Sequence, residues 1–207
     1  MMAVSEIAAE RKRQILDAAG GCFARHGFHG ATMPQICAEA GLSPGTVYRY
    51  FRSKDDLIEA MVEQDRAESL ELIAAIGRAA DPPAAVANAV DAALAGIGEP
   101  GAGAVYLEIG AEAARNPRIA AIVRRHEESV TAALAALIQR GQERGNVAAG
   151  IDPHDTAVVI AALIDGVITR KALFPETDLT RYAPAVKRAI AALLQTPATD
   201  SLPPSPR

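Results

Sequence analysis

The chain has 207 residues, half of them hydrophobic and only 4% aromatic, with a formal net charge of −4. That suits one or two small packed domains, and the dominance of Ala, Leu, Ile and Glu favours helices over strands. The longest nearly uncharged run, around residues 158–167, is broken by Asp165 and is too short to span a bilayer. Residues 1–14 lack the apolar stretch and cleavage site of a secretory leader. A cytoplasmic protein with no membrane partner is expected. The net charge alone argues against nucleic acid, but its distribution does not. Residues 1–54 hold seven basic groups (Arg11, Lys12, Arg13, Arg25, Arg49, Arg52, Lys54) against four acidic ones (Glu6, Glu10, Asp17, Glu39), a net +3. The rest of the chain is therefore −7 of a total of −4. A basic end on an acidic body suits a small phosphate-facing head carried by a domain with another task.

Residues 1–9 are expected to be disordered, and helical periodicity begins near Glu10. Ile15, Ala19, Cys22 and Phe23 recur on one helical face, and Gly27 provides the stop. Thr32 then opens a short second helix as N-cap, with Gln35 at N3 completing a capping box and Pro34 in the first turn. Gly41 allows a sharp corner, and Ser43-Pro44 starts a third helix as N-cap and N1. Ser53 caps a fourth helix, a connector over 54–77, with Asp55 and Asp56 at its positive end. Pro82-Pro83 is expected to exclude helix locally. Further helices are predicted over 84–97, 104–115, 117–145, 153–173 and 179–195, with a Gly-rich loop over 98–103. The proline-rich residues 196–207 read as a disordered tail. The prediction is an all-α protein of about nine helices. Its parts are a helix-turn-helix head over 10–56 and a larger helical body over 78–195.

The two short helices and the turn between them carry the chemistry. Ile36, Ala40, Leu42, Val47 and Phe51 would bury between the helices, leaving Ser43, Pro44, Gly45, Thr46, Tyr48, Arg49 and Tyr50 outward. Small residues at a helix N-terminus permit close approach to base edges in a major groove. Thr46 and Arg49 could reach bases, with Pro44 and Gly45 giving close apolar contact. Thr32, Tyr48, Tyr50 and Lys54 suit phosphates, which position the protein without specifying sequence.

Residues 11–60 resemble the N-terminal domain of the TetR family of regulators. The matched positions are Ile15-Leu16-x-Ala18-Ala19, Phe23-x-x-x-Gly27, Thr32-x-x-x-Ile36 and Ala40-Gly41-x-Ser43. They continue through Gly45-Thr46-Val47-Tyr48-x-Tyr50-Phe51-x-Ser53-Lys54-x-x-Leu57. The departures are Gly20-Gly21 inside the first helix, costing about 1 kcal/mol each relative to Ala, and Cys37 where the family usually has Ala. More loosely, Tyr106-Leu107-Glu108, the run from Glu112 to Pro117, Gly145 and Asp165-Gly166 resemble the family's C-terminal half.

The resemblance implies a homodimeric repressor, released from a near-palindromic double-stranded operator by a small-molecule effector. It also implies that the last two long helices pair across a two-fold axis. Val159, Leu163, Val167, Val186, Ile190 and Leu194 agree, giving more apolar face than one layer needs. The middle helices would enclose the effector, with Tyr106, Glu108, Glu112, Arg115 and His126 as polar candidates. The sparse aromatics disfavour flat polycyclic ligands.

Three other readings compete for the same residues. Catalysis lacks support: His126-Glu127-Glu128 has no second histidine at zincin spacing, and no Walker, Rossmann or Ser-His-Asp signature occurs. No enzymatic activity and no cofactor are expected. A metal- or redox-responsive regulator using Cys22, His26 and Cys37, with His29 nearby, is the alternative. The family pattern places Cys22 in the core and His29 in a loop, so no metal site is expected. The third rival is a helical interaction module with no DNA role.

Overall fold

Hydroxyl side chains punctuate the N-terminal part of the chain at three places. The computed structural model describes residues 4–80 and 82–195, and among these every regular element is an α-helix. In order they are α1 (Val4–Gly30), α2 (Met33–Glu39), α3 (Pro44–Tyr50), α4 (Lys54–Arg78) and α5 (Pro82–Gly98). Then follow α6 (Ala102–Ala113), α7 (Pro117–Glu143), α8 (Pro153–Leu173) and α9 (Leu179–Gln195). Thr32, Ser43 and Ser53 cap α2, α3 and α4, each accepting from the backbone N–H three residues on. Each such cap contributes about 1 kcal/mol relative to Ala. Gln35 completes the box by accepting from the Thr32 N–H at 2.8 Å. Further along, Asn116 and Asp152 cap α7 and α8.

The sequence and the structure differ at three helix starts. α1 is helical from Val4, so residues 4–9 extend the first helix instead of forming a disordered lead. Pro82 and Pro83 lie in the first turn of α5 instead of excluding helix, because the N–H groups they lack would have had no helical partner there. α6 opens at Ala102, inside the expected loop. The expectation of a disordered tail over 196–207 lies outside the described residues. Gly27, at φ 69° and ψ 165°, breaks the regular course of α1 before a last turn over 28–30.

Two apolar clusters hold the molecule. One belongs to the head: Ile15, Phe23, Ile36, Val47, Leu57 and Ile58 are essentially inaccessible. It takes in Ile119 and Ile122 from α7, so head and body share a core across α4. The other, in the body, gathers Val90, Leu94, Ile138, Ala157, Ile160 and Leu179 from α5, α7, α8 and α9. A hollow separates them.

The expected dimer residues divide. Val186 and Ile190 are 6% and 4% exposed within this chain's own core, so they cannot form an outer face. Leu163, Val167 and Leu194 pack partly against the same cluster. Val159 does face outward, 48% exposed, and Val158, Leu173, Phe174 and Tyr182 of the last two helices and the turn between them are exposed as well.

Candidate functional site

Val47 is the inward anchor of α3, completely inaccessible in the head core. Its burial turns Ser43, Pro44, Gly45, Tyr48 and Arg49 to solvent, while Thr46 and Tyr50 are half-buried. A Cβ added at Gly45 would meet nothing within 4 Å, so the first turn of α3 is bare on its outer side. The Thr46 hydroxyl lies 2.9 Å from that of Ser43, so these two share one hydrogen bond and keep outward capacity. Tyr50 packs partly against the head core. Thr32 is exposed, with its hydroxyl bonded to Gln35 at 2.8 Å.

Lys54 departs from the expectation of a phosphate contact. Its ammonium donates to the carbonyls of Phe28 and Ala31, with the His29 carbonyl at 3.4 Å. It also stands 4.5 Å over the Phe28 ring. Burial lowers its pKa, against the opposing fields of Glu112 and Asp55. The last turn of a helix leaves carbonyls without partners and a partial negative charge. Lys54 closes that end of α1 from the start of α4, so its donors are spent inside the protein.

The same turn receives α6. Glu108 Oε2 accepts from the Phe28 N–H at 2.7 Å. Glu112, 5% exposed, lies 3.0 Å from His29 Nε2 and 3.6 Å from the Arg115 guanidinium. Asn116 Nδ2 donates to Asp55 at 3.2 Å and to Glu112 at 3.3 Å. Arg118 spans Asp56 and Glu59, 2.8 Å from each, and its hydrogen bond is the main reason that the Asp56 carboxyl is held low. Glu108, Glu112 and Arg115, expected around a ligand, instead belong to a polar joint between body and head.

Tyr106 and His126 do line a hollow. It holds about 1500 Å³ and is walled mainly by apolar side chains, among them Ile73, Ile76, Val90, Ile97, Ile138 and Ile160. Sequence reasoning missed the rest of its polar patch: Asp65 on α4, Glu127 on α7 and Asp165 on α8. The Tyr106 phenol shares the hollow with Asp165, and burial followed by that carboxylate pushes its pKa far upward. Burial raises Asp65. Burial and then the charge of Asp165 raise Glu127. His126 Nε2 lies 3.5 Å from Asp65 and 3.9 Å from Glu127, while its Nδ1 is buried without a hydrogen-bond partner. Glu127 interrupts the apolar positions Val123, Val130 and Leu134 on one face of α7, a signal that the sequence offered.

Cys22 and Cys37 are free and packed in the head core, with burial raising the Cys22 thiol, whereas His26 is exposed. Among the described residues no three or more His, Cys, Asp or Glu side chains could hold a metal ion. Among the described residues no helix is long and apolar enough to cross a membrane.

Residues 15–61 match the family model of bacterial regulatory proteins of the tetR family, and residues 82–195 match that of the BetI-type transcriptional repressor C-terminal domain. The chain belongs to the TetR family. Among TetR-family relatives, the HTH-type transcriptional regulator UidR of Escherichia coli K12 is 32% identical over 177 residues, 83% of this chain and 85% of UidR. The structure of Salmonella enterica GusR superposes with a TM-score of 0.72 at 28% identity, covering 89% of this chain and 95% of that one. The Bacillus subtilis regulator FadR in complex with stearoyl-CoA shares the fold, with TM-score 0.74, 22% identity, and 88% and 97% coverage. In this TetR-family transcriptional regulator the helix-turn-helix of α2 and α3 is the DNA-binding part, and the body carrying the hollow is the ligand-binding part.

Proposed function

We propose that the chain is a homodimeric repressor that holds a near-palindromic operator through α3 and releases it when a small molecule fills the hollow of the body. The observation that carries this reading is the double use of α4. Its first turns bury Leu57 and Ile58 in the head core and cap α1 through Lys54, while its later turns line the hollow with Asp65, Leu72, Ile73 and Ile76. A ligand that repositions the far end of α4 moves the head with it. α6 works in parallel, with Tyr106 on the hollow and Glu108 on the Phe28 amide. The ligand must bind the released state better, and DNA then weakens ligand binding by the same factor.

In this reading Thr46 and Arg49 address base edges and Ser43, Pro44 and Gly45 give close approach. Thr32, Tyr48 and Tyr50 meet phosphates, and Lys54 positions the head without touching DNA. The exposed apolar side chains Val159, Leu173, Phe174 and Tyr182, carried by α8, α9 and the turn between them, support pairing of two copies through these helices. Footprinting of the full chain on the DNA upstream of its own gene tests it. The expected pattern is two protected half-sites, centred one helical turn of about 34–36 Å apart. A single half-site, or no protection, counts against it.

A further inference from the structure

We infer that the effector is a cationic amphiphile, with an amine or quaternary ammonium group among Asp65, Glu127 and Asp165 and an apolar body along the isoleucine-lined remainder of the hollow. This rests on the hollow being the effector site.

The three carboxylates come from α4, α7 and α8 and all line the hollow, together with Tyr106 of α6. Among the described residues none of the three has a Lys or Arg within ion-pair distance. His126 is their one titratable cationic neighbour, at 3.5 Å from Asp65 and 3.9 Å from Glu127. Glu68, one turn along α4, adds a fourth acid to the wall, held by Gln64 at 2.9 Å.

The basic residues that also line the hollow do not balance this patch. Arg140 and Arg144 sit at the far end of α7, and 13 residues from Glu127 to Arg140 at 1.5 Å each is about 20 Å. The Arg140 guanidinium lies there against Gly77 at the end of α4. Lys187 is engaged with Asp91 at 2.6 Å. The acidic end is therefore uncompensated by fixed charge.

The side chains of Asp65 and Glu127 are 69% and 44% exposed, and a ligand seated among them shuts out that water, so a ligand cation pairs with charge that no fixed group of the wall compensates. An anion meets repulsion there. A neutral polyol offers hydrogen bonds but leaves the charge uncompensated. The buried, unpartnered Nδ1 of His126 leaves a further polar atom unsatisfied in the same wall.

The rest of the wall sets the other half of the ligand. A hollow of about 1500 Å³ exceeds the common range of about 300–1,000 Å³ for small-molecule pockets. Away from the acidic patch most of its lining is aliphatic, with Arg140, Arg144 and Lys187 among it. Tyr106 is its one aromatic residue among the described lining, so the cation is held by ion pairing and not by an aromatic cage.

Calorimetric titration of the full-length protein with three probes of one chain length tests this: n-octyltrimethylammonium, octanoate and octyl glucoside, all below micellar concentrations. Saturable binding of the ammonium probe, at least about tenfold tighter than either other probe, is expected. Asp165→Asn and Glu127→Gln should each weaken that binding by about tenfold. Circular dichroism of each variant checks that it is folded, and the wild-type comparison of probes stands without them. Preference for octanoate or octyl glucoside, no saturable binding of the ammonium probe, or equal binding by both folded variants overturns the inference. Operator release separates the two claims. Release by octyl glucoside or octanoate leaves the repressor reading standing and removes the cationic one. Ammonium binding with unchanged operator affinity does the reverse.

Discussion

The Lys54 ammonium donates to the Ala31 carbonyl at 2.7 Å while standing 4.5 Å over the Phe28 ring. A residue that begins α4 therefore finishes α1. The turn it closes is the one that Glu108 and Glu112 grip from α6, so head geometry depends on contacts that the body also controls.

Lys54→Met should lower stability by about 1–3 kcal/mol, the cost of leaving helix-end carbonyls without a charged donor. It should leave the slope of log K for DNA against log salt unchanged, since each phosphate contact contributes about 0.9 to that slope. Denaturant unfolding and a salt series of binding isotherms check the two halves. A slope reduced by about one would mean that Lys54 meets a phosphate.

Gly27→Ala should cost about 1–3 kcal/mol, because φ 69° with ψ 165° is a conformation that side chains avoid. The added Cβ would also lie 3.3 Å from Glu108 Oε2. Urea midpoints at unchanged m-value would measure the loss.

Two carboxylates should respond to pH in opposite senses. Arg118 holds Asp56 below its ordinary range, so the stability from that pair is present above the unfolded pKa of about 3.9 and fades as pH falls through the lower folded value. Because the pair is partly exposed, the stability difference between wild type and Asp56→Asn should stay below about 1 kcal/mol from pH 5 to 8 and shrink under about pH 4. Glu127 is raised, chiefly by burial, so its ionised form burdens the folded body as pH rises past the unfolded value. Glu127→Gln should therefore raise the melting temperature more at pH 8 than at pH 5. Scanning calorimetry at several pH values reads both trends.

Val159→Asp combined with Leu173→Asp should shift the sedimenting species from dimer to monomer and weaken operator binding with it. Ile190→Ala should act differently, costing about 2–5 kcal/mol as a core truncation. Sedimentation velocity alongside thermal unfolding separates the two effects.

What was legible in the sequence was local. The caps Thr32, Ser43 and Ser53 and the corner at Gly41 act within three residues of themselves, so their side chains announce them. Boundaries at Val4 and Pro82 were less legible, because a proline pair reads as a breaker unless its first-turn position is known. Sites that depend on a neighbour were lost. Tyr106 and Glu108 lie about 200° apart around a helix of 3.6 residues per turn, and α6 has protein on both faces, so polarity does not say which face meets the hollow. Val186 and Ile190 show an apolar stripe that reads the same against a partner copy or against this chain's own core. The partners of Lys54 are backbone carbonyls 23–26 residues away in sequence, invisible to any side-chain pattern.

DNA recognition through α3 is tested most directly by equilibrium binding of the full chain to a labelled fragment from upstream of its own gene. The wild type would be compared with Arg49→Ala, Thr46→Ala and Tyr48→Ala. Saturable, salt-dependent binding is expected, weakened on all sequences by Tyr48→Ala and altered in base preference by the changes at Thr46 and Arg49. Wild-type affinity and base preference retained in all three folded variants would contradict it.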